Sequence, residues 1–264
     1  MTATCRWLAL FTLCLPIRGQ GAVQAPSYTQ ASIVNAATNR SGPLAPNTLA
    51  TVYGLSLAYN TRAIGVEDTR DGLLPTSFRN SGTRVVINGQ PAPLLYASPS
   101  QINFVVPANL EPGIVRLQVF LDSLVGPEVE LPIVSASPAL FALDPVTVIA
   151  AHADGALITS SHSARPDETI VLYATGLGGT TPKIGTYEIP RRATPITRLS
   201  DLRILFNGAP VDPQSVAYAG LTPGFAGLYQ INLRMPRPVP VNPEVRVAVG
   251  DAMSPAGMRL PTSE

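Results

Sequence analysis

Apolar residues in this chain come in short runs, each soon closed by proline or glycine. Val115-Arg116-Leu117-Gln118-Val119 and Val245-Arg246-Val247-Ala248-Val249 alternate from one side to the other, the pattern of a strand with one buried face and one wet face. Arg84–Ile87 is a further strand-like run. No segment holds a long helical period. The pattern predicts an all-β chain of many short strands joined by tight turns, with little helix.

The order of these runs occurs twice. Leu44–Ala58 opens with a proline-led turn, a β-branched strand ending in Tyr53 and a bend at Gly54. Ala164–Gly178 has the same sequence of features around Pro166, Tyr173 and Gly176. Arg84-Val85-Val86-Ile87-Asn88-Gly89 matches Arg203-Ile204-Leu205-Phe206-Asn207-Gly208. Asn-Gly between apolar strands is a strong hairpin signal, because both residues tolerate the positive φ of a type I′ turn. Each half then has a tyrosine (Tyr96, Tyr218) followed by a Gln-Ile-Asn strand that ends in proline. Two sandwich domains related by duplication are expected, 26–141 and 142–264, with the boundary near Ser137–Phe141.

Composition supports this reading. The 264 residues include 27 Pro and 21 Gly, yet 45% are hydrophobic and only 13% charged, so a core can form without long helices. The formal net charge of +1 gives no field to steer the protein to nucleic acid. The Arg191-Arg192 pair reads as a solvated loop rather than an anion contact. At the N-terminus, Arg6 precedes the short apolar run Trp7–Leu15, and small residues lead to Val23-Gln24-Ala25. Residues 1–25 therefore read as a signal peptide cleaved after Ala25, which implies an extracellular, periplasmic or cell-surface protein. Both cysteines, Cys5 and Cys14, and the only tryptophan fall in that segment. Leu13 is too bulky for Cys14 to suit lipidation. No later segment is long enough to span a membrane.

The block Asn88-Gly89…Gln101-Ile102-Asn103…Pro107 resembles the uncharacterised C-terminal domain family of Solibacter and other Acidobacteria. The likeness extends to Ile33-Val34-Asn35-Ala36-Ala37 and to Ala92-Pro93-Leu94-Leu95-Tyr96 before Ser98-Pro99. In the second half it includes Leu172–Gly178 and Tyr218–Asn232. His152-Ala153-Asp154-Gly155 departs from the asparagine-rich sequence expected there. The resemblance implies secretion and tandem Ig-like, TIG-type sandwiches, and it implies no reaction.

The chemistry on offer is sparse. His152 and His162, near Asp154 and Asp167, match no metal-ligand spacing and read as two loop histidines. Ser160, Ser161 and Ser163 lack a nucleophile elbow. Gly176-Leu177-Gly178-Gly179 lacks the Lys-Ser/Thr of a phosphate loop and reads as a sandwich corner. Glu67, Asp68 and Asp71, in the long loop 60–72, form the densest acidic cluster, without an Asp-x-Asp-x-Asp-Gly calcium pattern. No cofactor and no metal are expected. Tyr59, Tyr187 and Phe225 lie in glycine-rich or polar loops and are the candidate ligand contacts. Gln101, Asn103, Gln230 and Asn232 are expected to be structural, their amides tying the backbone of a neighbouring loop. The reading is a non-catalytic interaction module for a protein, matrix or glycan partner. A carbohydrate-binding module is the alternative, and a hydrolase with an unrecognised site comes after it.

Overall fold

A computed structural model describes residues 24–263; the segment read as a signal peptide, with both cysteines, lies almost wholly outside them. The described residues are all-β, with helix among them confined to short 3₁₀ turns at Gln30–Ser32, Val66–Asp68, Leu199–Asp201 and Pro213–Ser215.

Four antiparallel sheets enclose two apolar cores. In the first half, the central pair Leu49–Tyr53 and Gln101–Val105 is flanked by Ile33–Asn35 and Arg40–Ser41 on one side and by Leu94–Ala97 and Arg62–Ala63 on the other. The facing sheet is built on Thr83–Ile87 and Gly113–Leu121, and Val129–Ile133 also pairs with Gly113–Leu121. Inward residues of both sheets, among them Val52, Ile102, Phe104, Val85 and Leu117, form one core. In the second half, Thr169–Thr175 pairs with Tyr229–Arg234, which pairs with Val216–Leu221. The facing sheet is built on Leu202–Phe206 and Val245–Val249. Leu172, Ile231, Ile204 and Val247 belong to the second core.

The two halves match in local detail. Asn88 (φ 47°) and Gly89 (φ 80°) form one hairpin turn, and Asn207 (φ 51°) and Gly208 (φ 82°) form the other. The Asn88 side chain accepts a bond from Arg116 N–H at 2.8 Å, and Asn207 accepts one from Glu244 N–H at 2.9 Å. Asn47 (φ 62°) and Asp167 (φ 63°) follow Pro46 and Pro166 in left-handed conformation, where a short polar side chain costs least. A register shift lies opposite Asn103 in one half and opposite Asn232 in the other.

Two details differ from the sequence reading. Ala139–Leu140 pairs with Thr169–Thr175 and Leu140 lies in the second core, so the chain changes sheets before residue 139 rather than after 141. The Gln-Ile-Asn amides bond to each other rather than to a loop backbone. Gln101 Nε2 donates to Asn103 Oδ1 at 2.8 Å and Gln230 Nε2 to Asn232 Oδ1 at 3.0 Å. Thr51 Oγ1 also donates to Asn103 Oδ1, at 3.1 Å. Side chains two apart on a strand share a face, which lets the amides meet. Both glutamines are only half-buried, so Gln101→Ala is expected to cost about 0.5–1 kcal/mol in thermal denaturation, the worth of one partly solvated hydrogen bond.

Two tyrosines, Tyr28 and Tyr229, are buried. Tyr28 donates to Pro127 O and accepts from Val119 N–H at 2.7 Å, pinning the N-terminal segment to the edge of the first core. Burial pushes its hydroxyl up to about 12, against the weaker opposing effect of the Val119 bond. An unfolded tyrosine ionises near 10, so this group's stabilisation is full below about pH 10 and is lost as pH rises towards 12. Tyr28→Phe is expected to cost about 1–3 kcal/mol at neutral pH and to flatten that alkaline dependence in urea titrations.

Candidate functional site: the seam between the halves

The halves meet along a seam built from backbone approaches. Leu49 N–H donates to Thr175 Oγ1 at 2.8 Å, and the same hydroxyl donates to Gly227 O at 2.8 Å. Thr175 is fully buried, so one side chain satisfies a backbone group in each half. Ser137 N–H donates to Gly176 O at 2.8 Å. A Cβ on Gly176 would fall 2.1 Å from Ser137 O, and one on Gly178 2.3 Å from Ser135 O. Both glycines also take positive φ, 75° and 94°. The Gly-Leu-Gly corner thus exists because the connecting segment lies directly on it. Tyr229, buried beneath, donates to Gly178 O. Alternation from Ile231 places Tyr229 on the inward face, a signal the sequence contains.

On another side of the seam the two halves exchange bonds like paired strands. Leu74 N–H donates to Tyr187 O at 2.7 Å and Ile189 N–H to Gly72 O at 2.8 Å. Tyr187 is half-buried there, its hydroxyl donating to Pro91 O at 3.1 Å. Arg191 donates to Asp71 O at 2.7 Å, so it ties loop 60–72 to the second half rather than standing free in solvent. In the same loop Arg62 holds Asp68 at 2.8 Å and Glu67 at 3.2 Å. The Gly65 N–H, ahead of Arg62, keeps the Asp68 carboxyl below its ordinary value.

Beside these contacts the seam opens into a groove of about 690 Å³. Leu49, Ile64, Val66 and Leu95 line it from the first half, Ile189, Phe225 and Leu228 from the second, and Phe141 from the segment after the crossing. Among the described residues no charged side chain lines it, and Thr69 supplies the single side-chain hydroxyl. Val66 is 90% exposed and Phe225 59% exposed. Phe225 stands on the Thr222–Leu228 hairpin, which is closed by Thr222 N–H on Leu228 O at 2.8 Å and clamped by Gly224 N–H on Pro190 O at 2.7 Å. The ring is therefore presented by a fixed turn.

Of the other expected ligand contacts, Tyr59 lines a separate, polar depression and Tyr187 is engaged in the seam. His152 differs from its reading as a loop residue, whereas His162 is exposed in the turn closed on Thr159. His152 is buried in strand Ala150–His152, with Nδ1 3.2 Å from Glu168 Oε2 and its ring stacked on His162 at 4.0 Å. Both ring nitrogens are engaged, Nε2 with His162 O at 3.3 Å, which leaves no lone pair directed at a substrate or metal. No serine bonds to either ring, and no group of three metal-binding side chains forms among the described residues.

Residues 32–131 match the IPT/TIG domain family. That stretch is similar to an IPT/TIG domain. The match spans the strands of the first core almost completely. No curated protein matches the sequence. Solved structures to which the chain is remotely similar include the plexin A4 extracellular region (12% identity, TM-score 0.30, covering 99% of this chain and 17% of that one). Others are the I9–I11 tandem from titin (10%, TM-score 0.23, 91% and 65%) and SGBP-B from a complex xyloglucan utilization locus in Bacteroides uniformis (12%, TM-score 0.25, 90% and 49%). These likenesses are remote and assign no residue of this chain a role. No helix among the described residues is long and apolar enough to cross a membrane.

Proposed function

We propose that this chain is an exported, non-catalytic interaction module, two sandwiches arisen by duplication, which binds an apolar segment of a partner protein in the seam groove. The observation that carries it is the groove itself: aliphatic and aromatic walls from both halves, free of charge and continuous with the packed seam. An exposed apolar patch framed by polar surface is the ordinary mark of a binding face. Aromatic anchors such as Phe225 are the side chains that most often dominate interface energy. Charge-free walls favour a protein segment rich in aliphatic or proline residues over an ionic ligand.

Export is supported by the charged start and short apolar run of residues 1–25. Ala25, at the expected cleavage point, is exposed. A non-catalytic role is supported by the engaged His152–Glu168 pair and by acidic side chains already held by Arg62.

The test is a photoreactive residue at position 225 in the protein added to cells of the producing organism. It is expected to crosslink a distinct protein, and the same residue at exposed Val241 is not. Crosslinking to a second copy of the chain, or equal crosslinking from both positions, would contradict the partner reading.

A further inference from the structure

We infer that Tyr59 is the stacking platform of a saccharide subsite, separate from the seam groove. Tyr59 lines a depression of about 470 Å³ together with Asn80, Gly82, Arg84 and Asp122, within the size range of ligand clefts. The Cδ2–Cε2 side of its ring lies against Gly82, where an added Cβ would be 2.6 Å from Tyr59 Cε2. Gly82 also takes φ 68°, so the position suits glycine on two grounds. Asp122 (φ 51°) donates its N–H to Gly82 O at 2.7 Å, which places it in the lining of the same depression as Tyr59. The Tyr59 hydroxyl is held above its ordinary range, first by desolvation and then by Asp122. The ring is thus fixed on its inner side, while Tyr59 remains 45% exposed.

A flat aromatic face ringed by hydrogen-bonding groups is what a pyranose needs, because one side of the sugar is C–H and its rim is hydroxyl. The rim here offers the Asp122 carboxylate as acceptor, the Asn80 amide as both, and the Arg84 guanidinium as donor. Arg84 is steadied over the Phe120 ring at 5.4 Å. The opposite charges of Asp122 and Arg84 cancel, which suits a neutral polysaccharide better than a uronate or sulfated one. Nothing in this site depends on the seam groove.

The test is affinity electrophoresis of the purified protein in native gels containing hydroxyethylcellulose, xylan, galactomannan or dextran, with alginate as the charged comparison. At least one neutral polymer is expected to retard the protein. Tyr59→Ala should weaken that retardation about tenfold or more, the scale of losing a stacked ring. Tyr59→Phe should largely keep it, and Phe225→Asp should leave it unchanged, which separates this site from the seam. Retardation by no neutral polymer, retardation by alginate alone, or retardation insensitive to Tyr59→Ala would each overturn the assignment.

Discussion

Gly176→Ala is expected to destabilise the protein by about 3 kcal/mol or more, among the largest single effects in the chain. Two costs act together. The left-handed φ of 75° penalises any side chain by about 1–2 kcal/mol. The new methyl would also fall 2.1 Å from Ser137 O, a backbone atom that cannot swing aside as a side chain would. Relief requires moving the connecting segment off the second half, and with it the Ser137 N–H bond to Gly176 O. Urea denaturation of the variant should show the midpoint falling steeply. Gly89→Ala also takes a positive φ but meets nothing within 4 Å, so it isolates the conformational cost and should lose much less.

Thr175→Val should cost about 2–4 kcal/mol, although the two side chains have nearly the same shape. The exchange deletes the hydroxyl that accepts from Leu49 N–H and donates to Gly227 O, leaving two buried backbone groups without partners. Because those groups belong to different halves, the loss falls on their coupling as well as on total stability. Wild-type unfolding is expected as one transition, and Thr175→Val unfolding as a broader or split one. Followed by tyrosine fluorescence and by far-ultraviolet dichroism, the wild-type curves should coincide and the variant's should separate.

The strands were readable because alternation and turn chemistry act locally. Asn88-Gly89 and Asn207-Gly208 require a positive φ wherever they occur, and both form the expected turns. The seam was not readable, because its determinants are meetings between distant residues. Gly176 looks like any corner glycine until Ser135–Ser137 lies on it, and nothing near Leu49 announces Thr175 as its partner. His152 read as a loop residue because Ala-Asp-Gly follows it, yet pairing with Ile170 draws it into a sheet. Phe225 stood out through its glycine flanks, whereas Val66 and Phe141 gave no local sign that they would share its groove. Tyr59 was legible as an exposed ring, but its polar rim is gathered from residues 80 to 122 by two separate turns.

The central claim is that the seam groove binds a partner, and an equilibrium isotherm tests it most directly. Labelled wild-type protein would be titrated onto cells of the producing organism alongside Phe225→Asp and Val66→Asp, both at exposed positions where folding is spared. A carboxylate placed in a charge-free apolar contact must be desolvated, so each variant is expected to bind at least about tenfold more weakly, a hot-spot-sized loss. Isotherms for both variants that overlay the wild type would contradict the account.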